Sequence, residues 1–154
     1  LLERFNVIKG FFPVAEETGC HGSRGAKEEF FNDVGYAIQF DSTENDTMSL
    51  SLMGTQLFEQ DSEFFNKTKG LILERGFTEW RHHPYTDTMV LKERFNFSCL
   101  NFAAGYYNYH SNNEYVIVED VMNSTLLGES VIEKLGNVFY EFKSTKKDSF
   151  DWFD

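Results

Sequence analysis

Val34-Gly35-Tyr36-Ala37-Ile38-Gln39-Phe40-Asp41 is the stretch on which the fold reading turns. Val34, Tyr36, Ile38 and Phe40 alternate with Gly35, Ala37, Gln39 and Asp41, the period of two that marks a strand with one face buried. A polar loop over 42–46 follows, and then Met48, Leu50 and Leu52 alternate with Ser49, Ser51 and Met53. Two such runs joined by a short polar loop predict an antiparallel hairpin, apolar on one side and mostly polar on the other.

Working outward, residues 55–69 admit two readings. Leu57, Phe58, Asp61, Phe64 and Phe65 fit a helical spacing closed by Gly70, whereas Asp61-Ser62 would serve as a turn between strands. The strand-like neighbours on both sides favour strands. Residues 71–81 and 88–97 make the next predicted pair, joined by the segment 82–87. Residues 97–110 and 114–121 make another, around the polar turn Ser111-Asn112-Asn113. Leu1, Phe5, Ile8 and Phe12 share one face of a short helix over 1–12. Leu126, Leu127, Val131 and Leu135 predict a second helix over 123–135, with Gly136 as its C-cap. A final strand over 138–143 and an acidic-aromatic tail complete the chain.

The expectation is therefore a single β-rich domain over 1–147 followed by a tail over 148–154. Its fold would be mainly β, an antiparallel β-barrel or strongly curved sheet with a short N-terminal helix and one helix near the C-terminus. In length and order of elements this resembles the lipocalin architecture. The Gly-x-Trp signature of that family's first strand is missing, with Gly35-Tyr36-Ala37 in the nearest place, so the resemblance extends to architecture alone.

Composition narrows the function classes. The 154 residues carry 14 Lys plus Arg against 25 Asp plus Glu, a formal net charge of −11, with 17 Phe, 7 Tyr and 2 Trp. So many aromatic side chains exclude a disordered chain. An acidic surface without clustered Lys and Arg argues against a nucleic-acid partner. No run approaches the roughly 20 apolar residues of a membrane span. The chain opens on Leu1-Leu2-Glu3-Arg4, without an initiator Met or a basic-then-apolar leader, which is the pattern of a fragment or of a precursor from which a segment has been removed.

Four acceptor tripeptides, at Asn45, Asn66, Asn96 and Asn123, exceed the roughly one or two expected by chance. With Cys20 and Cys99 they point to a secreted or extracytoplasmic glycoprotein whose two cysteines pair. Such a disulfide would close a loop of about 80 residues, worth on the order of 4 kcal/mol in the chain-entropy model. Two buried free thiols are the alternative.

No spacing amounts to a catalytic signature. His82 and His83, with Trp80, Arg81, Tyr85 and Asp87, are adjacent strand residues that point to opposite faces, so they read as a polar hairpin loop rather than a metal site. Cys20-His21 lacks a group to orient the imidazole. The acidic loop from Asp41 has Asp46 and Leu52 where a calcium loop needs Gly and Glu. Ser23-Arg24-Gly25 lacks the other glycines and the Lys of a phosphate cradle. Glu74, Glu79, Glu93, Glu119 and Asp120 would be catalytic only if several pointed inward, and the Glu74-Arg75 and Glu93-Arg94 dipeptides suit a solvated sheet face.

The aromatic residues carry most of the remaining information. Phe11-Phe12, Phe30-Phe31, Phe64-Phe65 and Tyr106-Tyr107 are adjacent pairs, and on a strand each pair puts one ring on each face. One ring serves the core and the other needs a ligand cavity, a covering helix or a partner. The resulting reading is a non-enzymatic binding protein that holds a small apolar ligand among Tyr36, Ile38, Phe40, Phe77, Tyr106, Tyr115 and Ile117, with no metal and no cofactor identified. The alternative is a protein-protein interaction or assembly module using an exposed aromatic patch.

Overall fold

The computed structural model describes residues 8–83 and 85–143. In chain order the elements are α1 (His21–Arg24), a 3-10 turn (Glu28–Phe30), β1 (Tyr36–Ser42), β2 (Thr47–Leu52), β3 (Thr55–Gln56), α2 (Glu63–Glu74), β4 (Glu79–His83), α3 (Asp87–Arg94), β5 (Ser98–Ala103), β6 (Tyr106–Tyr107), β7 (Tyr115–Val116) and α4 (Val118–Leu135).

All six residues of β5 are buried. A strand buried along its whole length needs a neighbour on each side and cover on both faces. Accordingly β5 lies between β1 and β2. It runs parallel to β1 from Tyr36↔Ser98 to Phe40↔Phe102, and antiparallel to β2 at Met48↔Phe102. Further along, Leu57 bridges the pair, donating its N–H to Leu50 and accepting from Cys99 N. β4 flanks the other side of β2 in parallel.

This topology corrects the sequence-based expectation at several points. The chain is mixed α/β, 33% helix and 24% strand, and among the described residues no sheet closes into a barrel or curls strongly. β1 and β2 each form as strands but do not pair as a hairpin, because β5 is inserted between them. The helices α2 and α3 occupy much of 55–97, where strands are expected. Ser62 Oγ accepts from Phe65 N and Thr86 Oγ1 accepts from Thr88 N, so each supplies the N-cap that starts a helix. The hairpin over 97–121 shrinks to the two-stranded β6–β7 ribbon, since Val118 already begins α4. The predicted helix over 123–135 lies within α4, with Gly136 at the C-cap at φ 65°. The final strand reduces to one bridge, Phe97↔Glu141. Residues 8–12 have no helix, and the rest of the N-terminal helix, together with the tail 148–154, lies outside the described residues.

The disulfide is also overturned. Cys20 and Cys99 are both free and fully buried, and no pair of thiols lies at disulfide distance. Cys99 sits in the central strand, while Cys20 is the left-handed residue that starts α1, at φ 56°.

One sheet face is apolar and is covered by α2 and α4. Phe102 meets Phe40 at 6.0 Å and Phe77 at 5.4 Å between ring centroids, and Phe65 meets Trp80 edge-on at 5.3 Å. Gly128 lets α4 approach closely: a Cβ there would stand 2.7 Å from Phe40 Cζ. On the N-terminal side Phe31 stacks on Phe95 at 4.5 Å and takes Phe11 edge-on at 5.2 Å. Arg94 pins the loop after α1, donating to the carbonyls of Ser23, Arg24 and Ala26.

A C-terminal strap passes over the start of β1 and β5. Tyr140 N donates to Gly35 O, Ser98 N to Tyr140 O and Phe142 N to Asn96 O. A Cβ on Gly35 would stand 2.2 Å from the Val138 carbonyl, so this close approach requires glycine. Lys92 is buried on α3, and its amine donates to the Phe142 carbonyl and stands 4.5 Å from that ring's centroid. Burial lowers its pKa. Lys92→Ala removes both the packed alkyl stem and the hydrogen bond, and should cost about 2–4 kcal/mol in urea unfolding. Lys92→Met keeps the stem and removes the buried charge, and should cost less than half of that. Equal losses for the two variants would refute this account of the strap.

Candidate functional site

β1 is the end strand of the sheet, so one of its edges has no strand partner among the described residues. Beside that edge runs a groove of about 640 Å³. Gly35, Tyr36, Ala37, Ile38 and Gln39 form one wall. Phe11, Phe30, Phe31 and Val34 come from the N-terminal segment, Leu91 and Thr88 from α3, and Ile132 and Val138 from the end of α4 and the strap. The rings are held by one another, since Phe11 lies 5.8 Å from Phe30 and Phe30 lies 5.0 Å from Phe31.

The groove's charged groups are Lys9, Asp33, Asp87 and Glu133. Lys9 is engaged by Asp33 and by the Phe30 carbonyl. Asp87 is buried and accepts from Ser23 Oγ at 2.6 Å. The site therefore offers an apolar wall and floor with a surplus of carboxylates at its margins.

Gln39 links the groove to a polar network on the sheet face opposite α2 and α4. Its Oε1 accepts from Thr86 Oγ1 at 2.6 Å and Thr88 N at 3.0 Å, holding the first turn of α3. Its Nε2 donates to Asp41 Oδ2. Asp41 N donates to Asn101 Oδ1, and Asn101 Nδ2 donates to the hydroxyls of Ser42 and Ser49. Ser49 Oγ is 2.6 Å from His83 Nδ1. Burial, helped by Arg81 and His82, holds His83 below its ordinary pKa, so its ring is neutral near pH 7.

At one end of this network several carboxylates crowd together. Burial, then Asp41, Glu17 and Asp87, push Glu16 up to about 7. Burial, then Asp87 and Glu17, push Asp41 up to about 6. Tyr106 is pushed up to about 12 by burial, then by Asp41, Glu114, Glu17 and Glu16. Burial first, then Asp87 and Glu16, raise Cys20 to about 11, and burial raises Cys99 to about 12. Both thiols are therefore protonated and poor nucleophiles. Ser49 is fully buried, so its contact with His83 reaches no substrate. A second serine-histidine contact, Ser51 Oγ to His82 Nδ1 at 2.6 Å, borders a smaller cavity of about 250 Å³. No group of three or more His, Cys, Asp or Glu among the described residues is arranged to hold a metal ion, and no helix among them is long and apolar enough to cross a membrane.

Of the residues expected to line a ligand pocket, the structure brings Tyr36 and Ile38 into the groove and leaves the other five elsewhere. Phe40 packs on Gly128 and Phe102. Phe77 is buried in the core. Tyr106 lies in the β6–β7 ribbon, and Tyr115 and Ile117 are exposed. Alternation along β1 identifies its apolar face but not the groove beside its edge, which other segments complete. The adjacent phenylalanines 11 and 30–31 were a usable signal, although the latter pair occupies a 3-10 turn and its flank rather than a strand. Among the sequons, Asn45, Asn66 and Asn96 are exposed, whereas Asn123 lies within α4 and donates to the Arg75 carbonyl at 2.9 Å. Compared with known proteins, the chain matches no family model, no curated protein and no solved structure.

The raised carboxyls fix the sign of a pH effect. An unfolded carboxyl titrates near pH 4, so between about pH 4 and the folded values of about 6 and 7 the folded state binds more protons. Stability from these groups is present at low pH and is lost as pH rises through that window. Asp41→Asn should therefore raise the melting temperature near about pH 7.5 and leave it almost unchanged near about pH 4. Thermal melts of the two proteins across this range check it. A variant less stable than the parent at the higher pH would contradict the raised carboxyl.

Proposed function

We propose that the chain is a non-enzymatic binding protein whose ligand is a small, largely apolar molecule held in the groove beside β1. The observation that carries this reading is the groove itself. Its volume of about 640 Å³ falls in the range of small-molecule sites, which are mostly apolar with a few placed polar groups. Phe11, Phe30, Phe31, Val34, Ile38 and Leu91 supply apolar contact. The Gln39 amide, the Thr88 hydroxyl and the nearby carboxylates supply orientation.

The charge balance also selects the ligand. Three carboxylates, Asp33, Asp87 and Glu133, stand against the single ammonium of Lys9, which disfavours an anionic headgroup and favours a neutral or cationic apolar molecule. An extracytoplasmic location now rests on the sequons alone, because the thiol pair no longer supports it. A glycan at Asn45, Asn66 or Asn96 in protein from its native source would establish that location.

Titration with the neutral dye N-phenyl-1-naphthylamine should show one saturable site, and the sulfonated dye anilinonaphthalene sulfonate should bind at least about tenfold more weakly, a difference of about 1.4 kcal/mol. Ile38→Asp on the wall and Val138→Lys at the strap should each weaken the neutral dye by about tenfold or more. Folding of both variants is checked by circular dichroism. Dye binding that persists unchanged in both variants, or no saturable binding by the parent, would refute the reading.

A further inference from the structure

The first half of α4, over 118–127, is apolar on two opposite faces. Ser124, Leu127, Gly128, Val131 and Leu135 form its buried face. Val118, Met122 and Leu126 recur every four residues on the other side and are 61%, 58% and 42% exposed. Val121, also exposed, widens the stripe, and Tyr115 and Val116 in β7 extend it beyond the helix. A surface helix ordinarily turns charged or polar residues outward, and one that is apolar all round is normally buried. Tyr115 is fixed in place by stacking on Tyr107 at 5.2 Å, and Tyr107 donates to Asp120 at 2.6 Å. The surface is thus rigid as well as apolar.

The stretch of chain that builds this surface carries one sign of charge. No Lys or Arg occurs between Arg94 and Lys134, while Glu114 and Glu119 lie beside the stripe. We propose that this face of α4 and β7 docks an amphipathic helix of a partner protein whose apolar side is flanked by Lys and Arg. Ridges at four-residue spacing fit the grooves of another helix, and flanking cations would pair with Glu114 and Glu119. A second copy of this chain is the poorer occupant: joining two such faces would set the same carboxylates against each other, with no cation in 95–133 to neutralise them. An anionic bilayer meets the same repulsion.

The test uses the full chain and a labelled peptide of leucine and lysine patterned as an amphipathic helix, with a scrambled peptide of equal composition. Anisotropy should show the patterned peptide binding at least about tenfold more tightly than the scrambled one. Val118→Ser with Met122→Ser, and separately Glu119→Lys, should each weaken the patterned peptide by about tenfold. Dye binding in the β1 groove should be unchanged in all variants, which separates this surface from the ligand site. Equal binding of the two peptides, or full affinity in both variants, would overturn the proposal. So would a dimer seen by sedimentation and lost with Met122→Ser, or cosedimentation with phosphatidylglycerol vesicles.

Discussion

The parallel pairing of β1 with β5 is the constraint from which the rest of the architecture follows. It joins residues about sixty positions apart in the chain, from Tyr36↔Ser98 to Phe40↔Phe102, so the intervening chain must leave the sheet and return. It does so through β2, α2, β4 and α3. Parallel neighbours cannot be joined by a tight turn, and the crossover supplies α2 and α3, one helix for each face of the sheet. With β5 in place, Phe102 meets both Phe40 and Phe77, and α2 and α4 close over the apolar face. The other face receives the Asn101 side chain, fully buried, whose amide joins strand β1 to strand β2 through Asp41, Ser42 and Ser49. An amide that uses its acceptor and both donors in this way orders the strands by geometry as well as by burial.

The same pairing explains why the groove lies where it does. Once β5 occupies one side of β1, the other side is a sheet edge, and an apolar edge without Pro or Lys needs cover. The N-terminal segment and the strap cover its margins, with Tyr140 N on Gly35 O at the start of the strand. Between them the space beside Tyr36, Ile38 and Gln39 remains open. The groove is therefore a by-product of sheet order: one strand contributes a continuous wall, and the segment before it, α3 and the end of α4 with the strap supply the rest.

How much of this was legible in the sequence differs by residue. The alternation from Tyr36 to Phe40 and from Met48 to Leu52 identified two real strands, because a period of two survives whatever the neighbour is. It could not say that the neighbour of β1 is β5, since pairing partners leave no local mark. Ser98-Cys99-Leu100-Asn101-Phe102-Ala103 does carry a signal, a run buried on both faces, but Asn101 and Ser98 look like polar interruptions unless their hydrogen bonds are known. Ser62 and Thr86 are N-caps, but a lone Ser or Thr is weak evidence against strand-like flanks, so the helical reading of 55–69 and the helix over 87–94 lose to strands. Val116-Ile117-Val118 has strong strand propensity, yet only Tyr115 and Val116 pair before α4 begins. Propensity yielded there to the packing of Leu127 and Val131. Half of the groove's logic, the apolar side of β1, was visible; the contribution of Leu91, Val138 and the charged margin required the fold.

The net charge takes on a different meaning once residues have places. Spread evenly, −11 would do little beyond keeping the chain soluble. Instead several carboxylates are drawn together: burial first, and then the neighbouring acids, raise the pKa of Glu16 and Asp41, and Glu114 and Glu119 border an apolar helix face with no cation in the same stretch. Like charges gathered in this way cost stability in the isolated chain, and an opposite charge arriving from outside relieves that cost. Around the β1 groove and along α4 the arrangement is the same in kind, an apolar surface margined by carboxylates. As proposed binding surfaces, both would disfavour anions, and the same acidity would favour neutral or cationic partners.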